Sequence, residues 1–118
     1  MKILVTGSRH WTDRKIIERE LMAYAYTNLP VTLIHGDCEG ADRIAGEFAK
    51  SLGWTVIPFP AQWKLGNLAG PSRNQRMVDE DPDIVLAFHD DLGKSSGTKD
   101  CVMRARRAGI PVKWIRGH

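Results

Sequence analysis

The sequence predicts a doubly wound α/β fold, a Rossmann-like three-layer sandwich, and three observations carry that expectation. Short apolar runs alternate with amphipathic helical stretches along the whole chain. The clearest runs, Ile3-Leu4-Val5 and Ile84–Phe88, are apolar at every position, as strands are when both faces are covered. Prolines close the third run and apolar and polar residues alternate in the fifth, as suits the edges of a sheet.

Ile3-Leu4-Val5 is the first predicted strand. Thr12 or Asp13 can cap the helix that follows, in which Ile17, Leu21, Tyr24 and Ala25 share a face and Leu29-Pro30 is the stop. Val31–Ile34 is the second strand. Ala41, Ile44, Ala45, Phe48, Ala49 and Leu52 then recur at helical spacing, and Gly53 suits the left-handed position after the helix end. Trp54–Ile57 is the third strand, closed by Pro58 and Pro60. A loop from Pro60 to Gly70 carries Trp63, Gly66 and Asn67, and Pro71 is expected at the first position of a helix running to about Asp79. Ile84–Phe88 is the fourth strand and His89–Ser95 a polar turn. A helix follows from about Gly97 to Ala108, stopped by Gly109, and Val112–Ile115 is the last strand.

Strands alternating with helices imply parallel pairing through right-handed crossovers. With strands one and four central and three and five at the edges, the predicted order is 3-2-1-4-5. The chain then reverses direction between strands one and four, which opens a crevice at their C-terminal ends. Residues 1–118 read as one domain.

Composition narrows the function classes. Hydrophobic residues make up 42% and charged residues 26%, ordinary globular usage, and no apolar run approaches the length of a membrane span. Met1 and Lys2 run straight into the first strand, so no signal peptide is expected, and two cysteines without framework or metal spacing fit a reducing cytoplasm. The net charge of +3 permits phosphate contacts without arguing for nucleic acid. Arg104, Arg106 and Arg107 read as a solvated helix end that complements the dipole.

Three strands that point at the crevice are followed by small polar residues leading into a helix. These turns are Thr6-Gly7-Ser8-Arg9-His10-Trp11, His35-Gly36-Asp37-Cys38-Glu39-Gly40-Ala41-Asp42, and His89–Lys94 followed by Ser95-Ser96-Gly97-Thr98. Glycines admit close approach of a ligand to the backbone, and helix N-termini offer free amides to anions. Arg73 and Asn74 sit in the expected first turn of their helix, where a cation opposes the dipole, which favours ligand contact. Neither a Gly-x-Gly-x-x-Gly fingerprint nor a Walker A pattern is present, so neither a full NAD site nor a P-loop NTPase is expected.

The ordered motifs Gly7-Ser8-Arg9-x-Trp11, His35-Gly36-Asp37-x-x-Gly40-Ala41-Asp42, Pro60-Ala61-x-Trp63, Ala69-Gly70-Pro71-x-Arg73-Asn74-x-x-Met77 and Ser96-Gly97-Thr98 resemble the YspA-like branch of the SLOG superfamily. That superfamily groups the Smf/DprA proteins with the LOG proteins. The resemblance spans nearly the whole chain and implies a nucleotide or nucleotide-derived ligand, sensed or processed at the rim of the first, second and fourth βα turns. Its implied site residues are Gly7, Ser8, Arg9, Gly36, Asp37, Gly40, Asp42, Arg73, Asn74, Gly97 and Thr98, to which Ser96 adds a hydroxyl. Trp11 and Trp63, loop tryptophans flanking the crevice, either pack in the core or give a base a stacking surface, Trp11 being the one placed among the ligand contacts. A phosphate is expected on the amides of Gly7–Arg9 and Gly97–Thr98, clamped by Arg9 and Arg73.

The LOG enzymes, which cleave a base from a nucleoside monophosphate, carry Pro-Gly-Gly-x-Gly-Thr-x-x-Glu after the fourth strand. Here only Gly97-Thr98 of that pattern remains, and Cys101 stands at the position of the glutamate. If the protein is an enzyme, the expectation is a phosphoribohydrolase with Asp37, Asp42 or Asp100 as its carboxylate. Asp37 and Asp42 serve equally well as helix-capping acids or as ribose or base contacts. His89-Asp90-Asp91 reads as a solvated turn rather than a Mg²⁺ loop, Cys38 and Cys101 lack a base in register, and no metal or cofactor is expected. DprA-like binding of single-stranded nucleic acid is the less favoured partner class, and a homo-oligomer formed through Met22, Tyr24 and Tyr26 is a third expectation.

Overall fold

A computed structural model of the protein describes residues 1–26 and 30–117. Its elements are β1 (Lys2–Gly7), α1 (Arg14–Met22), β2 (Thr32–His35), α2 (Ala41–Ser51), β3 (Thr55–Pro58), a 3₁₀ segment (Trp63–Leu68), α3 (Ala69–Val78), β4 (Ile84–Phe88), a second 3₁₀ turn (Leu92–Lys94), α4 (Ser96–Arg107) and β5 (Val112–Ile115). The five strands form one sheet in the order β3-β2-β1-β4-β5. Every neighbouring pair is parallel, with Leu4 opposite both Ile34 and Val85.

The alternation of side chains along β1 divides the core. Ile3 and Val5 face a cluster with Trp11, Ile17, Leu21, Ala45 and Phe88, covered by α1 and α2. Leu4 faces the other way, onto Met77, Val78, Cys101 and Ala105 of α3 and α4. This is the predicted three-layer sandwich. Pro58 ends an edge strand whose residues are largely exposed, where its missing N–H costs the ladder nothing.

Local signals account for most boundaries. Asp13 is the residue that caps α1, accepting from the Ile16 amide at 3.3 Å. Ser95 caps α4 by accepting from the Thr98 amide at 3.0 Å. Gly53 follows α2 at φ 78°, the left-handed position expected of it.

Two helix boundaries differ from the sequence expectation. α1 ends at Met22, and Tyr24 and Ala25 lie in turns bonded to the Leu21 and Met22 carbonyls. Leu29 of the expected stop lies outside the described residues. Pro71 is the third residue of α3, not the first, because the segment before it is already coiled as a 3₁₀ turn. A proline in the first helical turn sacrifices only an amide that would have had no partner, so the helix extends upstream through Gly70 to Ala69. Among the described residues no helix is long and apolar enough to cross a membrane.

Candidate functional site

The sheet order places a reversal between β1 and β4, and a crevice of about 700 Å³ opens there at the strand ends. Its walls come from the end of β1 (Thr6–Arg9), the first turn of α2 (Asp42), α3 (Arg73 and Asn74) and α4 (Ser96–Thr98 and Asp100), with Trp63, His89 and Lys94 at the rim. A second hollow of about 490 Å³ adjoins it, lined by Gly36, Asp37, Glu39 and Arg43, and shares Arg9, Cys38, Trp63 and Arg73 with the first. Among the described residues no group of three metal-ligating side chains comes together.

Ten of the residues singled out in the sequence therefore line one crevice: Gly7, Ser8, Arg9, Asp42, Arg73, Asn74, Ser96, Gly97, Thr98 and Asp100. Gly36 and Asp37 line the adjoining hollow. Gly40 and Trp11 line neither. A side chain at Gly40 would collide with the Ser8 carbonyl, so this glycine lets the first and second turns pack together. Trp11 is 6% exposed, packs edge-on against Phe88 with ring centroids 5.6 Å apart, and donates its indole N–H to the Asp13 carbonyl. It belongs to the core and offers no stacking surface. The exposed indole is that of Trp63, 73% exposed at the rim.

The backbone amides are divided between structure and opening. The Ser8 amide is spent on the Phe88 carbonyl at 2.8 Å, and the Thr98 amide on Ser95 Oγ. The amides of Ser96 and Gly97, at the start of α4, find no acceptor among the described residues. The unspent amides at this helix start are thus one residue earlier on α4 than the Gly97–Thr98 pair. Arg9 and Lys94 stand exposed beside it and form no ion pair among the described residues.

Arg73 is 7% exposed and works as an internal brace. Its Nη1 donates to the Gly36 carbonyl at 2.6 Å and its Nε to Asn74 Oδ1 at 2.9 Å. Asn74 in turn donates to the Gly97 carbonyl at 3.2 Å and to Asp100 Oδ2 at 3.0 Å, which ties α3 to the start of α4. Asp100 also receives Arg104 Nε at 2.8 Å, and Arg104 reaches Gln75 Oε1 at 3.0 Å. Arg104 is therefore not part of a solvated helix end. It lies one turn beyond Asp100, which draws its guanidinium between the two helices, while Arg106 and Arg107 are exposed.

The three candidate carboxyls have different characters. Burial pushes Asp42 up to about 7, against the pull of the Cys38 amide, the Arg73 charge and the Gly36 amide. For Asp100, burial raises the carboxyl's affinity for a proton, but hydrogen bonds from Arg104 and Asn74 and the charges of Arg104 and Arg107 outweigh it. The net shift is below the usual carboxylate range. Asp37 adopts φ 57°, a left-handed conformation that aspartate tolerates better than most residues, and stands 3.6 Å from Arg43. Both thiols are held protonated. Burial and the nearby Asp42 raise Cys38, and burial raises Cys101 to about 12.

Residues 1–66 match the YAcAr family, described as the YspA, cpYpsA-related SLOG family. The Gene 61 protein of Mycobacterium phage D29 is 38% identical over 118 residues, an alignment covering 94% of this chain and 93% of that protein. The chain belongs to the YspA, cpYpsA-related SLOG family. Within the SLOG match lie β1, β2, β3 and the turns that carry Ser8, Gly36 and Asp42. DNA processing protein A (DprA) from Streptococcus pneumoniae shares the fold, with a TM-score of 0.78 at 20% identity over 99% of this chain. The SLOG chain described here spans 50% of that DprA chain, so the likeness is to part of a longer molecule.

Thr6 and Cys38 line the crevice without standing among the sequence-derived ligand contacts, and of the two loop tryptophans weighed for stacking it is Trp63, not Trp11, that lines it. Thr6 had only its position as the first polar residue after an apolar run, and Cys38 had none.

Proposed function

We propose that the crevice binds a nucleotide or nucleotide-derived ligand, with a phosphate at the start of α4. One observation carries this: the unspent Ser96 and Gly97 amides open at the β1–β4 reversal, beside two exposed cations, Arg9 and Lys94. The helix dipole, two free donors and mobile positive charge favour an oxyanion there. The exposed Trp63 indole, also in the crevice lining, supplies a face for a base. The crevice volume, about 700 Å³, falls within the range of small-molecule sites.

A thermal-shift panel of nucleoside mono-, di- and cyclic phosphates and ADP-ribose derivatives tests the proposal. A ligand at about 100 times its Kd adds about 2.7 kcal/mol to stability, a readily measured rise in Tm. If no nucleotide in the panel shifts the transition while the protein is folded and monodisperse, the proposal fails.

Hydrolysis of an N-glycosidic bond is a second activity that one observation favours: Asp42, at the crevice, titrates near neutrality and so suits proton transfer. Asp100 suits it less, being held ionised by Arg104 and Asn74. Release of free base from nucleoside monophosphates, lost in Asp42→Asn, is the expected outcome, and absence of turnover across the panel sinks it. DprA-like binding of single strands has weaker support, because Arg104 is already engaged and leaves no continuous basic track at that helix end.

A further inference from the structure

Asp42 leaves half of its hydrogen bonding unmade. Its Oδ2 accepts from the Gly36 amide at 3.0 Å and from the Cys38 amide at 3.4 Å, which fixes the plane of the carboxyl group. Its Oδ1 is buried and, among the described residues, has no partner. The residue is 4% exposed and borders the crevice. A buried acceptor without a donor is costly, and one beside an open crevice calls for a partner, which an ordered water or a ligand group supplies.

The charged and titratable groups packed around Asp42 do not complete it. Arg73 of α3 directs its guanidinium to the Gly36 and Asn74 oxygens and forms no ion pair with Asp42. Asp37 and Cys38 of the β2–α2 turn and Cys101 of α4 are the other groups that influence it or are influenced by it, and both thiols are held protonated.

The chemistry of the missing partner follows from what each group offers. A phosphate oxygen adds a second negative charge beside a carboxylate. A carbonyl or ring nitrogen only accepts, which an ionised carboxylate rejects, and an amino group only donates, so it pairs with the ionised form and not with the acid. A hydroxyl does both and pairs with Asp42 in either protonation state. We propose that Asp42 selects a ribose-bearing ligand, its unpartnered Oδ1 pairing with a sugar hydroxyl at the floor of the crevice. This rests on the nucleotide reading above and deepens it.

The bond is stronger to the ionised carboxylate. Since burial sets Asp42 to about 7, ligand binding draws its proton away in the neutral range. The ionised fraction of such a group rises from about one tenth at pH 6 to about nine tenths at pH 8, so the hydroxyl's share of the affinity grows by up to about tenfold across that interval.

The experiment measures Kd by calorimetry for the adenosine, guanosine, cytidine and uridine 5′-monophosphates and their 2′- and 3′-deoxy analogues at pH 6 and pH 8. Taking the ribo-to-deoxy ratio cancels protonation of the phosphate, which titrates in the same range. For the nucleotide that binds, one deoxy analogue is expected to bind roughly ten- to a hundredfold more weakly at pH 8, with a smaller gap at pH 6. Asp42→Asn, whose amide oxygen still accepts from the Gly36 amide, removes the pH dependence of that ratio. Ribonucleotide binding with both deoxy analogues equal at both pH values overturns the Asp42 proposal and leaves the nucleotide site standing. Absence of binding by every nucleotide overturns the site itself. The ratios on the unaltered protein decide the matter even if the variant does not fold.

Discussion

Arg73 Nη1 lies 2.6 Å from the Gly36 carbonyl oxygen, while the amide of the same glycine donates to Asp42 Oδ2 at 3.0 Å. A single residue without a side chain thus separates a buried cation from a buried carboxyl and is hydrogen-bonded to both. Through it, the middle of α3, where Arg73 stands because the helix begins at Ala69, is tied to the end of β2 and to the first turn of α2. The brace links α3 to the β2–α2 turn, a spacing that the strand order alone does not set.

Gly36→Ala tests the closeness of that assembly. A Cβ at position 36 would lie 2.6 Å from Arg73 Nη1, 2.9 Å from Arg73 Cζ and 3.1 Å from Asp42 Oδ2. The guanidinium is buried and cannot swing into solvent, so the expected loss is about 1–3 kcal/mol in urea unfolding. Gly97→Ala is the control, since a Cβ there meets nothing within 4 Å. That change should be neutral or stabilising by up to about 1 kcal/mol.

Replacing Arg73 tests the brace from the other side. Arg73→Met keeps much of the volume but leaves the Gly36 carbonyl and Asn74 Oδ1 without this donor, and a loss of about 2 kcal/mol or more is expected. Arg73→Lys recovers only part of it, because an ammonium cannot reproduce the planar fork that spans two acceptors. Equal stability of the lysine variant and the parent in denaturant titration would refute a bracing role that depends on geometry.

The fold was legible in the sequence because its signals are local. Fully apolar runs marked β1 and β4 as central, and Pro58 marked β3 as an edge. The crevice followed from that order, and with it the right neighbourhood for Ser8, Asn74 and Gly97. The roles of individual side chains were less legible because they depend on contacts between distant segments. Trp11 follows a glycine-bearing turn, like a rim residue, but Phe88 and Ile115 from β4 and β5 complete the core around it. Arg73 looks like an exposed cation opposing a helix dipole until Gly36, thirty-seven residues earlier, supplies its acceptor. The same holds for Asp42, whose acidity depends on burial that no short window of sequence encodes.

That buried carboxyl has a consequence for stability against pH. Its pKa is raised on folding, from 3.8 to about 7, so the folded state holds a proton that the unfolded state releases. Asp42 therefore destabilises the fold progressively as pH climbs from about 4 to about 7, by an order of about 2–4 kcal/mol. His35 acts oppositely below 6.5: burial lowers its pKa, and stability is lost as pH falls and the unfolded imidazole takes up a proton. Asp100, whose pKa is lowered, contributes stability that is lost only under more acid conditions. The measurement that isolates Asp42 is the difference between Asp42→Asn and the parent. The variant should gain relative stability between pH 5 and pH 8, and a difference independent of pH would show that Asp42 is not a buried, neutral-range acid.

Trp63 separates binding from folding. With 73% of its surface exposed, on a 3₁₀ segment that buries none of its residues, its indole contributes little to the core. Trp63→Ala should therefore leave the urea midpoint within about 0.5 kcal/mol of the parent. Stacking of a base on an indole contributes about 1–3 kcal/mol, so the same variant should bind its nucleotide roughly five- to a hundredfold more weakly. Trp63→Phe, which retains an aromatic face, should recover much of the affinity. Because Trp63 is the tryptophan that lines the crevice, while Trp11, Trp54 and Trp114 do not, quenching of tryptophan fluorescence by the ligand should fall sharply in Trp63→Phe. Undiminished affinity in the alanine variant would remove the indole from the site and leave the anion position at Ser96 and Gly97 as the contact to pursue.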